Sequence, residues 1–452
     1  MSQESPPRLF YQLLANTLLA SVTNMTVWFA LTFFVFLETR SVFATSVISG
    51  IYLVAVAVSG FWFGSLVDRH RKQRVMLGSS AASLTIYAIG FGVYQTAAPD
   101  AFKRPDSVTL WVLVVLLMAG VIAGNLRGIA LPTLVTMLVP EERRDRANGL
   151  VGTTSGISFL IVSVISGLLV GLGGLFWVLV LALSLTGATM AHLLLLRVPE
   201  RIAAPSAEHP HRIDIRGTLR VIGAVPGLFA LLLFATFNNF LGGVFMSLMD
   251  AYGLSLVSVQ AWGLLWGFLS TGFIVGGLMI ARFGLGRNPL RALFGANLLI
   301  WAMCSVMTIQ PSIILLTTGM FVYLCVVPYI EAAEQTIMQK VVPAERQGRV
   351  FGFAQSMELA ASPLTAFLIG PLAQFVFIPF MTDGAGAELI GGWFGTGPAR
   401  GIALVFTVTG MIGLAMTVVA MRTKYYRLLS ERYLAGAPEA EAAPVRVSAE
   451  AG

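Results

Sequence analysis

The sequence predicts an all-α membrane protein with twelve transmembrane helices in two pseudo-symmetric six-helix bundles, with both termini in the cytoplasm. Of the 452 residues, 56% are hydrophobic and only 11% are charged. Soluble proteins carry about 25% charged residues, so the apolar excess here is expected to face lipid. Twelve apolar segments are long enough to cross a bilayer, and a charged ten-residue cassette occurs twice in the chain.

The spans are identified by length, because about 20 apolar residues rising 1.5 Å each cross a hydrocarbon core of about 30 Å. The predicted spans are separated by short connections, except at the midpoint of the chain. Their limits are 10–37, 42–66, 75–95, 108–138, 147–172, 174–196, 222–249, 257–281, 290–309, 311–338, 350–380 and 399–421.

The orientation follows from the basic residues, since Lys and Arg in short loops remain on the cytoplasmic side. With twelve spans and cytoplasmic termini, 24 of the 29 Lys and Arg residues lie inside. Four lie outside, and Arg127 lies within a span. The outer four are Arg40, Lys103, Arg104 and Arg400. This asymmetry predicts a protein of the plasma (inner) membrane with its basic loops in the cytoplasm.

The repeated cassette indicates two related halves. Residues 140–149 return as 343–352, an offset of 203 positions, and Pro, Glu, Arg, Arg and Gly keep their places. Duplicated halves are typical of transporters that rock about a site between them. The predicted organisation is an N-terminal bundle at 1–198, a cytoplasmic linker at 199–220, a C-terminal bundle at 221–430 and a disordered tail at 431–452.

The loop between the second and third spans combines small, apolar and charged residues in a set order: Gly64, Leu66, Asp68, Arg69, Arg71 and Lys72. This order resembles the signature loop of the major facilitator superfamily, with His70 in place of a usual glycine. A weaker copy follows the eighth span, where Ala281 replaces the aspartate.

Within that superfamily the cassette is similar to the macrolide-efflux branch of the drug exporters, at 139–150 and again at 348–352. Drug–proton antiporters usually carry a Gly-Pro pair in span five, and this chain has Gly152 and Gly156 there instead. The resemblance implies a secondary transporter that moves its substrate by alternating access.

The resemblance also implies a cytoplasmic gate, in which Asp68 accepts hydrogen bonds from the start of span eleven and closes the inside. The alternative is that the basic loops only hold the topology. Gly-x-x-x-Gly pairs at 60/64, 152/156 and 272/276 fall on the spans expected to form the seam between the halves. The predicted gate residues are Gly64, Asp68, Arg69, Arg71, Glu142, Arg146, Glu345 and Arg349.

Charges within the membrane are costly and call for a function or a partner. Arg127 in span four and Glu331 and Glu334 in span ten stand at matched depth under the repeat. We expect an Arg–Glu pair across the central cavity, with one acid exchanging a proton as the protein changes state. The alternative is a static ion pair that only orders the bundle.

Amides on spans one and seven are further candidates for the substrate site. Asn24 lies on span one, and Asn238 and Asn239 lie at nearly the same depth on span seven. Such amides either orient a ligand or hold helices together, and the sequence leaves both roles open.

The predicted function is proton-coupled efflux of hydrophobic or amphipathic small molecules. The sequence has no phosphate-binding loop, and we expect no enzyme activity, no metal, no cofactor and no nucleic-acid partner. The partners would be a small-molecule substrate, protons and the lipid bilayer, around a monomer. The alternatives are export of a siderophore or lipid-like metabolite, anchored by Arg127, and a non-transporting membrane sensor.

Overall fold

The computed structural model describes residues 6–39, 42–104, 106–198 and 215–435, and these residues form helices and no β-strand. The N-terminal half contains α1 to α6, and α7 to α16 follow. The bounds are α1 Pro6–Thr39, α2 Val42–Arg69, α3 Lys72–Thr96, α4 Val108–Leu138, α5 Arg144–Gly173, α6 Leu175–Leu195, α7 Ile215–Ala224, α8 Leu228–Leu254, α9 Val259–Phe283, α10 Pro289–Val306, α11 Ile313–Val341, α12 Gln347–Leu372, α13 Ile378–Thr382, α14 Ala385–Phe394, α15 Pro398–Arg422 and α16 Lys424–Ala435.

Eleven helices in the described ranges are long and apolar enough to cross a membrane, and a bent pair makes twelve if it counts as one span. The all-helical prediction is thereby confirmed. The bent pair joins Phe367–Thr382 to Ala385–Phe394 at 72°. The eleventh span is predicted at 350–380, and these residues are helical, with a π-helical turn at 373–377 and Pro379 just before the bend. Proline lacks the amide that would continue the ladder.

The ends of the two halves differ in detail from the predicted limits. Residues 215–220 of the predicted linker form the first part of α7, and residues 431–435 of the predicted tail are helical in α16. The rest of the linker and tail, 199–214 and 436–452, and Arg40 lie outside the described residues.

The halves meet along two helix pairs, α2 with α12 and α5 with α9. Glycines allow the backbones to approach closely. A β-carbon on Gly60 would lie 2.9 Å from the carbonyl oxygen of Gly352, and one on Gly156 would lie 2.6 Å from Phe273 Cβ. The third predicted pair differs, since Gly272 and Gly276 pack against α11 inside the C-terminal half.

The apolar core is shared between the halves at one end only. One large cluster contains Val67 of the N-terminal half together with Ile280, Ile337 and Val350 of the C-terminal half. Two other large clusters stay within one half each, over positions 27–182 and 241–406. The halves are therefore joined at the end where α2, α4, α9 and α11 finish, and packed separately toward the other.

Candidate functional site

The joined end carries the charged connections α2–α3, α4–α5 and α11–α12, and we call it the basic end. Asp68 stands there in the last turn of α2, facing the first turn of α12. Its Oδ1 accepts a hydrogen bond from the Gly348 amide at 2.7 Å, and its Oδ2 accepts one from the Arg349 amide at 2.9 Å. The Arg349 Nε lies 3.7 Å from the same Oδ2. A helix start offers such unpaired amides to an anion.

Gly64 makes the Asp68 contact possible, because it lies one turn earlier on α2 and lets α12 approach. A β-carbon on Gly64 would lie 3.0 Å from Arg349 Cα and would also collide with the carbonyl oxygen of Gly348. Even alanine at this position would therefore push the two helices apart and lengthen the bonds to Asp68.

In the second copy of the motif the carboxylate comes from the partner helix and not from the motif itself. Ala281 stands where the aspartate of the first copy would be, and Asp145 in the first turn of α5 supplies a carboxylate from the other side. Asp145 Oδ2 accepts a hydrogen bond from the Leu285 amide at 2.8 Å, just after Gly284 at φ +74°. The sequence analysis missed Asp145, although it lies inside the repeated cassette.

A layer of buried amides joins the halves just inside the basic end. Asn148 Nδ2 donates to Gln339 Oε1 at 2.9 Å and to Thr336 Oγ1 at 2.8 Å. Thr136 Oγ1 donates to Gln347 Oε1 at 2.7 Å. Sequence analysis also missed this layer. The repeat offset was the available signal, since it relates position 136 to 339 and position 144 to 347.

The other predicted gate residues surround these contacts. Arg69 and Arg71 are exposed at the end of α2, and Glu142, Arg146 and Glu345 are exposed on the two cassettes. Two ion pairs cross the seam among the described residues. One is the pair of Arg349 with Asp68, both predicted for the gate. The other joins Lys340 Nζ and Glu141 Oε1 at 2.8 Å, and neither of these had been predicted for the gate.

A cavity of 220 Å³ lies inside the C-terminal half, between α8, α10, α11 and α12. Glu331 is exposed to it, Glu334 is buried with 8% exposure, and Glu358 on α12 is half-buried. Glu334 and Glu358 face the same cavity, and Glu334 Oε1 is buried with no hydrogen-bond partner among the described residues. Among the described residues that line the cavity, all the charged ones are acidic. Glu358 completes an acidic cluster that the sequence alone did not assemble.

Asn238 and Asn239 also line this cavity, and both amides are partly occupied. Asn238 Oδ1 accepts from Trp301 Nε1 at 2.7 Å, and Asn239 Nδ2 donates to the carbonyl of Ala235 at 3.1 Å. Asn24 lies elsewhere, in the N-terminal half, where it accepts from Tyr87 Oη at 2.9 Å and donates to the Val121 carbonyl at 2.9 Å. Asn24 therefore joins α1, α3 and α4 to one another.

Arg127 is placed differently from the expectation. It is 4% exposed, and its guanidinium donates to Asn16 Oδ1 at 2.6 Å and to Ser80 Oγ. These partners belong to α1 and α3 of the same half. The structure thus brings Arg127 to uncharged groups inside the N-terminal half, while Glu331 and Glu334 face a cavity in the C-terminal half.

Two bundles of apolar helices, with a close seam at one end and a polar cavity within, define a membrane transporter. The chain belongs to the Major Facilitator Superfamily, whose family model matches residues 13–366. It is 26% identical to macrolide efflux protein A of Streptococcus pyogenes over 381 residues, covering 79% of this chain and 88% of that protein. It is also 26% identical to macrolide efflux protein A of Enterococcus faecalis over 330 residues, or 68% of this chain and 94% of that one.

Solved structures show the same fold at lower sequence identity. A bacterial homologue of the iron transporter ferroportin in an outward-facing state aligns with a TM-score of 0.70 and 14% identity, covering 92% of this chain and 100% of the other. The human organic anion transporter MFSD10 (TETRAN) aligns with a TM-score of 0.67 and 15% identity, covering 94% of this chain and 100% of the other. These likenesses support the superfamily fold.

Proposed function

We propose that this protein exports amphipathic, cationic small molecules of the macrolide type across the plasma membrane in exchange for protons. It would act as a monomer, with its basic end and both termini in the cytoplasm. The acidic cavity between α8, α10, α11 and α12 is the observation that carries the proposal.

The cavity has the chemistry that a cationic amphiphile requires. Glu331 offers a carboxylate to the cation, and Trp301, Tyr323 and Met246 offer apolar surface beside it. Glu331 lies ten residues before the end of α11 at Val341, which is ~15 Å of helix and close to mid-membrane. A site at that depth becomes accessible first from one side of the membrane and then from the other when the two halves rotate against each other.

The placement of Glu334 and Glu358 on the same cavity supports proton exchange. Two carboxyl groups form a hydrogen bond only when one of them holds a proton, and an ionised pair repels. A cation bound at Glu331 would favour loss of that proton, and return of the proton would favour release of the cation. This exchange couples the two fluxes without any part for Arg127.

The seal at the basic end supports alternating access. Asp68 and Asp145 each bind backbone amides of the other half, and the layer of Asn148, Gln339 and Gln347 lies between them. Each polar contact consists of a few hydrogen bonds and is breakable at modest cost. Opening also requires the halves to separate along the apolar cluster that they share at this end. The opposite conformation would open here and close at the other end.

The alternatives receive less support from this arrangement. An anionic siderophore would need a cation in the cavity, and Arg127 is buried against Asn16 and Ser80 instead. A sensor would need binding without transport, and the glycine seam and breakable gate contacts serve a moving interface better than a fixed one.

The test is flux in proteoliposomes under an imposed pH gradient, with a panel of a radiolabelled macrolide, a cationic dye, a siderophore and a lysolipid. We expect the macrolide and the dye to move. For Glu331→Gln we expect pH-driven flux to fall about tenfold or more, since a hydrogen bond to a charged group contributes about 1.5–3 kcal/mol.

Glu388→Gln is the matched control. Glu388 is exposed on α14, so this substitution removes the same charge outside the cavity. Equal flux in the two variants would contradict the role of the cavity. If one compound of the panel binds tightly but none of the compounds is transported, the result would favour the sensor.

A further inference from the structure

A second and larger pocket lies at the basic end, on the N-terminal half and beside the seam. It has a volume of 730 Å³ and lies between the start of α1, the end of α4 and the start of α5. Its apolar wall includes Phe10, Tyr11, Met137 and Leu150. This pocket is separate from the acidic cavity, although Thr136 in its wall belongs to the amide layer of the seal.

The rim of the pocket is basic. Arg143, Arg144 and Arg146 line it, all from the first copy of the repeated cassette. Arg144 is fixed in the wall, because its Nη2 donates to the Thr136 carbonyl at 2.9 Å and its Nε to the Val139 carbonyl at 3.3 Å. Arg143 and Arg146 are exposed.

The cassette also holds three acidic residues, Glu141, Glu142 and Asp145, and two of them are engaged by other groups. Glu141 pairs with Lys340 at 2.8 Å, and Asp145 accepts from the Leu285 and Arg146 amides. Glu142 is exposed beside Arg143 and is the remaining acid of the cassette. The rim therefore presents two exposed guanidinium groups above an apolar wall.

We propose that this pocket binds an anionic phospholipid. The headgroup phosphate would lie against Arg143 and Arg146, and an acyl chain would run along Phe10, Met137 and Leu150. Arginine binds phosphate through paired N–H donors. The charged rim lies beside the apolar wall, as the headgroup of a lipid lies beside its acyl chains. Anionic lipids are enriched at the membrane surface that basic loops face.

The position of Ala281 links the bound lipid to the conformation. Ala281 belongs to α9 of the C-terminal half, yet it forms part of the wall. The adjoining residue Ile280 packs against Gly149 of α5, so the wall is complete only while the two helices are together. Bound anionic lipid would therefore favour the state in which the basic end is closed.

The test is native mass spectrometry of the full-length protein with an equimolar mixture of phosphatidylglycerol and phosphatidylcholine. We expect retention of phosphatidylglycerol in preference to phosphatidylcholine. In the double variant Arg143→Gln with Arg146→Gln we expect its affinity to fall on the order of tenfold or more, since both exposed guanidinium groups of the rim are removed.

The matched control is Arg422→Gln with Arg427→Gln, which removes the same charge from exposed positions outside the pocket. Equal losses in the two double variants would overturn the proposal, as would equal retention of the two lipids. Soluble glycerol phosphate should fail to displace the lipid. Displacement at similar concentration would show a site for the free anion and overturn the lipid assignment. These readouts measure binding, so they stand apart from any result on macrolide flux.

Discussion

Single residues show how a charge near or within the membrane is satisfied. Asp68 is met by two backbone amides of the opposite half, whereas Arg127 is met by Asn16 and Ser80 of its own half. Arg127 was selected from the sequence because an unsatisfied charge is costly within the membrane, whereas Asp68 was selected through the resemblance of its loop to the signature motif. The cost applies to both. That cost shows that a partner exists, but not which group it is.

At this scale we predict that Asp68→Asn is inserted normally but transports about tenfold more slowly or worse. Asparagine keeps the size, but its single amide oxygen accepts from only one of the Gly348 and Arg349 amides, and its NH2 group meets the other N–H with no acceptor. One charge-assisted bond, which contributes about 1.5–3 kcal/mol, is therefore lost and the other is weakened. Flux per inserted molecule is the measurement.

The control for Asp68→Asn is Asp100→Asn at the opposite end. Asp100 is exposed, and its bond to Lys103 at 2.7 Å holds the pKa of the carboxyl below its usual range. An exposed pair of this kind contributes little to the fold or the gate. Near-normal flux in Asp68→Asn would remove the gate role.

Helices show how the seam is built. Glycines allow close approach in both helix pairs of the seam, α2 with α12 and α5 with α9. Two of the three Gly-x-x-x-Gly motifs that predicted the seam, at 60/64 and 152/156, do lie in it. The third pair failed as a seam prediction because Gly272 and Gly276 pack on α11, while Gly277 faces Thr153 and Gly149 of α5. A one-residue step on a helix turns a side chain by about 100°, so spacing alone does not assign the partner.

At this scale we predict that Gly64→Ala weakens closure of the basic end. The added methyl group would collide with backbone atoms of Gly348 and Arg349, and backbone cannot rotate away as a flexible side chain can. A cysteine reporter at Thr136 should react with a thiol reagent several times faster in this variant. Gly78→Ala is the control, because a β-carbon there meets nothing within 4 Å. Equal reactivity in the two variants would contradict the role of Gly64.

The whole molecule shows which way the transporter opens. One apolar cluster joins the halves at the basic end, and the clusters toward the opposite end each belong to one half. Both copies of the repeated cassette take part in closing the basic end. The first contributes the Asp145 side chain, and the second contributes the Gly348 and Arg349 amides that bind Asp68. We infer that this conformation exposes the acidic cavity to the side opposite the basic end.

At this scale we predict a pattern of cysteine labelling in a background where Cys304 and Cys325 are replaced by alanine. Met246 lines the cavity with 81% exposure, so Met246→Cys should react with a membrane-impermeant reagent from the opposite side. Gln347 is 1% exposed in the seal, so Gln347→Cys should resist labelling until substrate and a pH gradient shift the state. Glu388→Cys, at an exposed position, should label throughout. Protection of Met246→Cys under all conditions would contradict alternating access.

The sequence by itself determined the all-helical membrane character of the chain, the duplication and the superfamily. Those properties are local or periodic, since hydropathy over about 20 residues selects a span and an offset of 203 reveals the repeat. It also selected Asp68, through the signature motif, and Glu331 and Glu334, because charge in an apolar segment is conspicuous.

The tertiary structure decided which of these groups meet. Asp68 and Gly348 are 280 positions apart, and their contact depends on how two helices from different halves are placed. The same holds for Glu358 beside Glu334, and for Arg127 turned into its own half. Partner choice depends on rotation and approach of whole helices, which the order of residues along one helix does not specify.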